Sequence, residues 1–276
     1  MTDENVALSA GIDLENASVA RVYDALLGGK DNFASDREVY RSIVEADPLA
    51  PHAAQAIRRC LGRAVDWLVR QAGMDQFLDL GSGLPTAENT HEIAQRADPE
   101  ARVVYVDNDP TVVAHGRALL QDNEQTWFTP ADLTRPDAVL DDPVVRGRLD
   151  LARPYVLMQF NTLHHIDDAH RPGEIMREYV DRLPSGSYAT LCHFYDPGPD
   201  EPEQSAFAQD MQVRLAGSSM GSGWFRREEE ILSYLGGLEL VEPGLVKLHE
   251  WWPVGPRIDE LSRMDHALVV AVGRKP

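Results

Sequence analysis

The sequence predicts an α/β fold in which a mostly parallel sheet of seven strands carries helices on both faces. From position 77 onward, short apolar runs alternate with segments of helical periodicity, as is typical of parallel strands joined by crossover helices. Two glycines, Gly81 and Gly83, follow the first apolar run, at the edge where such sheets bind ligands. A helical region that this pattern does not require lies ahead of the sheet. The chain therefore divides into an N-terminal helical cap or lid, residues 1–74, and an α/β core, residues 75–276.

The composition indicates a globular chain with an acidic surface. Its 276 residues, 43% of them hydrophobic, supply enough material for a large domain or for a domain with an appended subdomain. A net charge of −19 repels nucleic-acid phosphates and anionic membranes, so we expect neither as a partner. The sequence contains no apolar run of membrane-spanning length, and its N-terminus lacks the basic and apolar regions of a secretory signal. Two separated cysteines, Cys60 and Cys192, fit a reducing cytoplasm rather than a disulfide framework or a zinc cluster.

Three helices are predicted in the N-terminal cap. The first covers residues 18–27 and ends at the glycine pair Gly28-Gly29. Ser35 and Glu38 have the spacing of a capping box for the second helix. The third follows Pro51 and carries an apolar stripe on one face. Roughly 70 residues of this composition would build only a small core alone, so we expect a lid rather than an independent domain.

The core is predicted to contain seven strands and their connecting helices. The strands cover residues 76–80, 102–106, 126–129, 155–160, 188–194, 238–248 and 267–272, with the last two antiparallel. The helices cover residues 86–96, 111–121, 137–146, 172–183, 204–216 and 226–235. Pro85 is expected to open the first of these helices, because proline is tolerated at the first helical position. Asp109, just ahead of Pro110, is expected to cap the second.

The segment around Gly81 and Gly83 predicts a nucleoside-binding turn, because the glycines allow a sharp turn and close approach of a ligand. A dinucleotide-binding turn would have a third small residue where Thr86 stands. Asp79 precedes the turn, and its carboxylate would repel a pyrophosphate but attract an ammonium or a sulfonium. S-adenosylmethionine carries both cations and is therefore the expected ligand.

Polar residues also follow the next predicted strands, whose carboxyl ends meet at the same edge of the sheet. Asp107 is expected to accept hydrogen bonds from the two ribose hydroxyls, with Asn108 beside the adenine edge. Asp132 would accept from the adenine amino group, and Leu133 would cover the ring. Asn161 would lie beside the sulfonium. An aspartate at a strand end is often only a helix cap or a turn former, and this alternative applies most to Asp132.

Taken together, these strand ends resemble those of the class I S-adenosylmethionine-dependent methyltransferases. The matching segments are residues 79–83, 103–109, 131–133 and 161–165. Residues 18–33, 76–86, 103–110, 185–188 and 237–245 are also similar to a bacterial family known only as S-adenosyl methyltransferases of unknown substrate, and this resemblance extends over nearly the whole chain. The resemblance implies a Rossmann-like seven-stranded core and S-adenosylmethionine as cofactor, but it supplies no methyl acceptor. The chain departs from that family at His165, where an aromatic residue commonly stands.

The N-terminal glycine pair and the histidines after the fourth strand complete the candidate site. Polar groups flank the pair, so Tyr23, Gly29 and Asn32 are expected to approach the methionine end of the cofactor, unless the glycines merely end a helix. His164 is the candidate general base because imidazole titrates near neutral pH, and a histidine merely hydrogen-bonded at a strand end is the alternative. No metal is expected, since adjacent histidines cannot form the i, i+4 pair of a zinc site.

The sequence therefore predicts a methyltransferase that carries out in-line methyl transfer from S-adenosylmethionine to a small-molecule acceptor. A non-catalytic cofactor-binding sensor would need the same cofactor contacts, and an acceptor cavity would distinguish the two. A nicotinamide-dependent oxidoreductase is disfavoured by Asp79 and by the missing third glycine. The sequence leaves the acceptor and the oligomeric state open.

Overall fold

An eight-stranded, mostly parallel sheet organises the molecule. The computed structural model describes residues 11–86, 88–119, 124–255 and 260–276. The strands are β1 (Gln76–Leu80), β2 (Arg102–Val106), β3 (Thr126–Thr129), β4 (Val156–Phe160), β5 (Tyr188–Phe194), β6 (Glu239–Leu240), β7 (Val246–Lys247) and β8 (Leu268–Arg274). They lie in the order β3-β2-β1-β4-β5-β8-β6, and β7 also pairs with β8. The first five strands are parallel, whereas β8 runs antiparallel to β5, β6 and β7.

Helices cover both faces of this sheet. Within the described residues they are α1 (Val19–Leu26), α2 (Ala34–Ala46), α3 (Ala50–Arg70), α4 (Thr90–Ala97), α5 (Pro110–Leu119), α6 (Pro136–Leu140), α7 (Pro143–Arg148), α8 (Pro172–Asp181), α9 (Pro202–Ala216), α10 (Glu228–Ser233) and α11 (Arg263–His266). Short 3₁₀ turns occupy Leu163–His165, Asp168–His170 and Gly198–Asp200. Across the described ranges, no helix is long and apolar enough to cross a bilayer.

Two apolar cores, one on each face of the sheet, hold the layers together. Successive strand side chains point to opposite faces, so Phe77 enters the first core and Leu78 the second. The first core takes side chains from α1–α4, α9 and α11, and the second from α6–α8 and α10. The apolar stripe predicted for α3 is buried in the first core: Ile57, Leu61, Val65 and Leu68. The N-terminal helices thus share a core with the sheet, and the boundary at residue 74 stays a prediction.

The predicted α/β fold class is confirmed, with one strand divided. The predicted strand over residues 238–248 appears as β6 and β7, which pair with successive parts of β8: Leu240 opposite Gly273, and Val246 opposite Val270. Between them Pro243 has no N–H to donate to the ladder. The sheet therefore has eight strands instead of seven, and the five parallel strands match the predicted ranges within one residue.

The helix after β1 begins later than predicted. Pro85 lies in the loop and does not open a helix, and α4 starts at Thr90. The start is fixed by Glu92, whose carboxylate accepts the Asn89 N–H at 2.6 Å. Such a reciprocal cap competes with proline as a helix start signal, so the prediction from Pro85 was wrong. The loop that follows the two glycines is correspondingly longer.

Two other helix predictions need correction. The helix predicted after the third strand is divided into α6 and α7, because Pro143 lacks an N–H and Asp142 caps a new helix there. The predicted capping box of Ser35 and Glu38 is also wrong. In its place the Asp36 carboxylate accepts the Phe33 N–H at 2.7 Å, and α2 begins one residue before Ser35.

Candidate functional site

A cleft of about 440 Å³ opens at the carboxyl ends of β1, β2 and β4, beside α1 and α3. The chain leaves β1 toward β2 on one side and later returns to β4 on the other, so this is the switch point where parallel sheets bind ligands. Eight predicted site residues line the cleft: Tyr23, Asp79, Gly81, Gly83, Asp107, Asn108, Leu133 and Asn161. Four predicted site residues are not among those that line it: Gly29, Asn32, Asp132 and His164.

The turn after β1 brings bare backbone to the cleft wall. The N–H groups of Gly81 and Ser82 donate to the Val106 carbonyl at 2.8 and 3.2 Å, which ties the turn to the end of β2. Gly81 and Gly83 have φ angles of +67° and +68°, in the left-handed region. A Cβ at Gly81 would lie 2.6 Å from Cγ2 of Thr162. The left-handed backbone favours glycine at both positions. At Gly81 the nearby Thr162 side chain also leaves no room for a Cβ.

The Asp79 carboxylate lies in this cleft with only 6% of the residue exposed. Thr90 Oγ1 donates to its Oδ2 at 2.7 Å, and this is its hydrogen bond within the described part of the chain. Burial raises the pKa of Asp79 to about 6, and the neighbouring Asp107 acts in the same direction, against the Thr90 hydrogen bond and the Arg58 charge. A cation entering the cleft would stabilise the ionised form.

Asp107 connects the glycine turn to the start of α5. Its carboxylate accepts the Gly83 N–H at 2.8 Å and the Asp109 N–H at 2.9 Å, while burial raises its pKa. Asp109 caps α5 as predicted, because its Oδ1 accepts the Thr111 N–H at 2.7 Å. The Ser18 hydroxyl donates to the same carboxylate. The start of α1 is therefore fastened to the rim of the cleft.

Two polar atoms at the cleft are buried without a hydrogen-bond partner in the described structure: Oδ1 of Asn161 and Nε of Arg58. Asn161 has a left-handed φ of +67°, and Nη2 of Arg58 donates to the Glu88 carbonyl at 2.6 Å. Each buried unpaired atom costs about 1–3 kcal/mol, which an incoming ligand can recover. Sequence analysis missed Arg58, because α3 shows only an amphipathic stripe there and no motif.

The N-terminal glycine turn folds around Asp24 instead of facing the cleft. Oδ2 of Asp24 accepts the Asp31 N–H and the Asn32 side-chain amide, both at 2.9 Å. A Cβ at Gly29 would lie 1.9 Å from Oδ1 of Asp24, so the glycine makes room for this carboxylate. These contacts explain the polar residues of the turn without a ligand and do not favour the predicted roles of Gly29 and Asn32. Tyr23, on the preceding helix, does line the cleft.

Asp132 forms a turn at the end of β3. Its Oδ1 accepts the backbone N–H of Thr134 at 2.9 Å and the Thr134 hydroxyl at 2.7 Å. The neighbouring Leu133 lines the cleft instead. The contacts of Asp132 thus favour the turn-forming alternative over the adenine contact.

Of the two adjacent histidines, the second lines the cleft. His164 is fully buried, its ring stacks on Phe194 with centroids 3.6 Å apart, and its Nδ1 accepts the Phe194 N–H at 3.3 Å. Burial lowers the pKa of His164 well below its usual range, and the fully enclosed ring does not line the cleft, so its position favours the structural alternative over the predicted role as a base. His165 lines the cleft with Nδ1 3.0 Å from Oγ of Ser222, and burial lowers its pKa to about 4.

Neither a metal centre nor reactive thiols are found among the described residues. No group of three or more His, Cys, Asp or Glu side chains there could hold a metal ion. Cys60 and Cys192 are unbonded and buried, and burial raises the pKa of Cys60 to about 12 and that of Cys192 well above the usual range. Such cysteines act as apolar packing groups.

The profile of the S-adenosyl methyltransferase family matches residues 5–276. The chain belongs to this family. It is also similar to the structure of a provisionally named methyltransferase from Thermobifida fusca YX, with 41% identity, a TM-score of 0.88, and coverage of 96% of this chain and 97% of that one. A DUF574 family protein from Streptomyces avermitilis MA-4680 has 37% identity and a TM-score of 0.88, over 96% of this chain and 99% of that one. No protein of curated function matches the chain.

Family membership confirms the predicted resemblance, the cofactor and the reaction class. The protein is an S-adenosylmethionine-dependent methyltransferase with a Rossmann-like α/β core. The family description includes no acceptor. The geometry of the cleft must therefore indicate the roles of its residues and the nature of the acceptor.

Proposed function

We propose that the cleft binds S-adenosylmethionine with Asp79 beside the methionine ammonium, Asp107 on the ribose hydroxyls, and Leu133 against the adenine ring. The observation that carries this proposal is the pair of carboxylates that line the cleft at neighbouring strand ends, Asp79 buried and Asp107 half-buried, each with a pKa raised by burial. One carboxylate with spare acceptor capacity suits a cation, and the other suits a diol. Asn108, also on the lining, is the candidate for the adenine edge.

Arg58 and Asn161 complete the methionine end of the proposed site. The unpaired Nε of Arg58 suits the cofactor carboxylate, because a guanidinium can bind a carboxylate through two parallel hydrogen bonds. The unpaired Oδ1 of Asn161 suits a positively charged group, either the ammonium or the sulfonium. The cleft thus offers an anion for the cofactor's cation and a cation for its anion.

In this arrangement the cofactor supplies an electrophilic methyl group. The protein's contribution is to align an acceptor in line with that group and to exclude water, which together can supply most of the acceleration. Val19 and Tyr23 on α1 line this region and contribute apolar surface to it. A proton leaving the acceptor would pass to His165, which lines the cleft, in preference to the enclosed His164.

The acceptor in this proposal is a small molecule, and the compartment is the bacterial cytoplasm. The net charge of −19 opposes nucleic-acid substrates. The unbonded cysteines are consistent with a reducing compartment, and the two similar structures come from bacteria.

Titration calorimetry with S-adenosylhomocysteine and with NAD, side by side, tests the proposal. The wild-type protein is expected to bind the first and not the second. Asp107→Asn should weaken binding by about 10- to 100-fold, because a hydrogen bond to a charged group contributes about 1.5–3 kcal/mol. Asp141→Asn, in an exposed ion pair with Arg146, is the matched control and should leave affinity unchanged. Tight NAD binding without S-adenosylhomocysteine binding would refute the proposal.

A further inference from the structure

A second cavity adjoins the cofactor cleft. It lies between α1, α2, α3, α9 and the end of β5 and has a volume of about 70 Å³. A cavity needs roughly 10–15 Å³ to hold one water, so this one has space for a group of several heavy atoms. Five residues line both the cavity and the cleft: Val19, Tyr23, Ile57, Asn161 and His165. The two spaces therefore share one wall.

The polar side chains of this cavity are confined to the shared wall. Tyr23, Asn161 and His165 are the polar groups on the described lining, and none of the lining side chains is an acid, an arginine or a lysine. The remainder is aliphatic, aromatic or methionine, including Phe194 and Met220. Methionines fill irregular space and adapt to the shape of a bound group. The cavity thus offers an apolar chamber with polar contacts only where it meets the cleft.

We infer that this cavity is the methyl-acceptor site and that it takes a small, uncharged, apolar compound carrying a hydroxyl group, with phenol as the simplest aromatic example. The inference rests on the proposed function of the neighbouring cleft. The apolar body fills the chamber, and the hydroxyl lies at the shared wall near Asn161 and His165. A charged acceptor would lose its hydration without gaining a counter-ion.

The transfer balances with groups that this site provides. The acceptor oxygen forms a bond to the methyl carbon while the carbon–sulfur bond breaks, and that electron pair stays on sulfur as a neutral thioether. The hydroxyl oxygen becomes strongly acidic as the bond to the methyl carbon forms, so its proton passes to the imidazole of His165 even though burial lowers the pKa of that ring to about 4, and then to water in the cleft. Ser222, with Oγ 3.0 Å from Nδ1, holds the ring in place.

Titration of the protein saturated with S-adenosylhomocysteine, using phenol and benzoate as probes, tests the inference. Phenol is expected to bind, and benzoate to bind at least about tenfold more weakly, because its carboxylate finds no charged partner. Equal binding of the two probes, or no phenol binding to a protein that binds S-adenosylhomocysteine, would overturn the inference. A protein that does not bind S-adenosylhomocysteine at all would overturn the proposed function first.

Cavity-filling variants show where phenol binds. Ala53→Leu adds volume from α3 at a buried position that lines the cavity and not the cleft, so phenol binding should be lost while affinity for S-adenosylhomocysteine stays unchanged. Met220→Trp, on the half-buried loop after α9, fills the opposite wall and replaces the first variant if that one does not fold. Gln55→Leu, on the exposed face of α3, is the control. Undiminished phenol binding in a folded filling variant would contradict the assignment.

Discussion

Two turns of this chain have similar sequences, yet their aspartates make different contacts. In each, an aspartate stands shortly ahead of two glycines: Asp24 in the N-terminal turn and Asp79 after β1. Both residues are nearly enclosed, 7% and 6% exposed. The Asp24 side chain accepts hydrogen bonds from its own turn, at Asp31 and Asn32. The Asp79 side chain accepts from Thr90 and faces the cleft.

The difference shows that the number of nearby hydrogen-bond donors distinguishes a structural carboxylate from one that can bind a ligand. A buried carboxylate surrounded by its own N–H groups organises the backbone and has little capacity left for a ligand. A buried carboxylate that is short of donors keeps a raised pKa and gains most from a cation that arrives later. Asp24 belongs to the first kind and Asp79 to the second. Four predictions test this distinction.

The largest expected effect is a pH-dependent stability cost of Asp79 in the cofactor-free protein. Its pKa is about 6 when folded against an ordinary 3.8, so the folded state binds the extra proton between these values and loses stability as pH rises. Asp79→Asn should escape this loss, which amounts to about 3 kcal/mol at 1.36 kcal/mol per pH unit. Denaturant unfolding of both proteins from pH 4 to pH 8 measures it. If the stability difference between the two proteins did not change with pH, burial would not raise the pKa of Asp79 in the folded state.

Asp24→Ala should have the opposite effect on stability. It leaves the Asp31 N–H and the Asn32 amide without their acceptor, and we expect the free energy of unfolding to fall by about 2–3 kcal/mol at neutral pH. Asp31→Ala removes only a half-exposed carboxylate from the same turn and is the matched control, with no change expected. If the Asp24 variant were as stable as the control, the turn would not depend on this carboxylate.

Asp79→Asn should also weaken binding of S-adenosylhomocysteine, which keeps the methionine ammonium. We expect a loss of about 2 kcal/mol, or roughly 30-fold, because a charge-assisted contact becomes a neutral one. Asp75→Asn, a half-buried residue outside the cleft that pairs with Arg153 just ahead of β1, should leave the affinity unchanged. Unaltered affinity in the Asp79 variant would remove the electrostatic basis of the site.

The fold was largely predictable because buried strands appear in the sequence as short runs of apolar residues. Strands β1, β4 and β5 are mostly apolar and are buried at every position, and β2 is buried from Val103 onward. The errors lie where two local signals compete. Pro85 favoured an early helix start, but Asn89 and Glu92 fixed a later one, and Pro143 interrupted a helix whose periodicity otherwise continued.

The candidate site was predictable where a residue follows directly from its strand, and less so elsewhere. Asp79, Asp107 and Asn161 lie at strand ends, so topology alone brings them to the cleft. The direction of a side chain within a turn depends on its hydrogen bonds, which the sequence does not contain. For this reason the polar residues around Gly29 suggested a ligand contact that Asp24 satisfies internally, and the choice between His164 and His165 could not be made from adjacency.

Replacement of Arg58 is expected to have the smallest of the four effects. This residue extends the comparison of the two aspartates to a cleft residue that no sequence motif marks. Its Nε is buried and unpaired, and its charge acts on the Asp79 carboxylate, so the cleft contains a cation as well as two carboxylates. If Arg58 binds the cofactor carboxylate, Arg58→Gln should weaken S-adenosylhomocysteine binding by about 1.4 kcal/mol, which is tenfold. Arg59→Gln, the next residue on the exposed face of α3, is the control for loss of charge alone. Equal affinities of the two variants would mean that the Arg58 guanidinium is an electrostatic neighbour of Asp79 and not a ligand of the cofactor. Tenfold weakening confined to the Arg58 variant would show that α3 supplies a positive charge for the cofactor carboxylate. The strand ends supply only acidic and neutral side chains to the cleft.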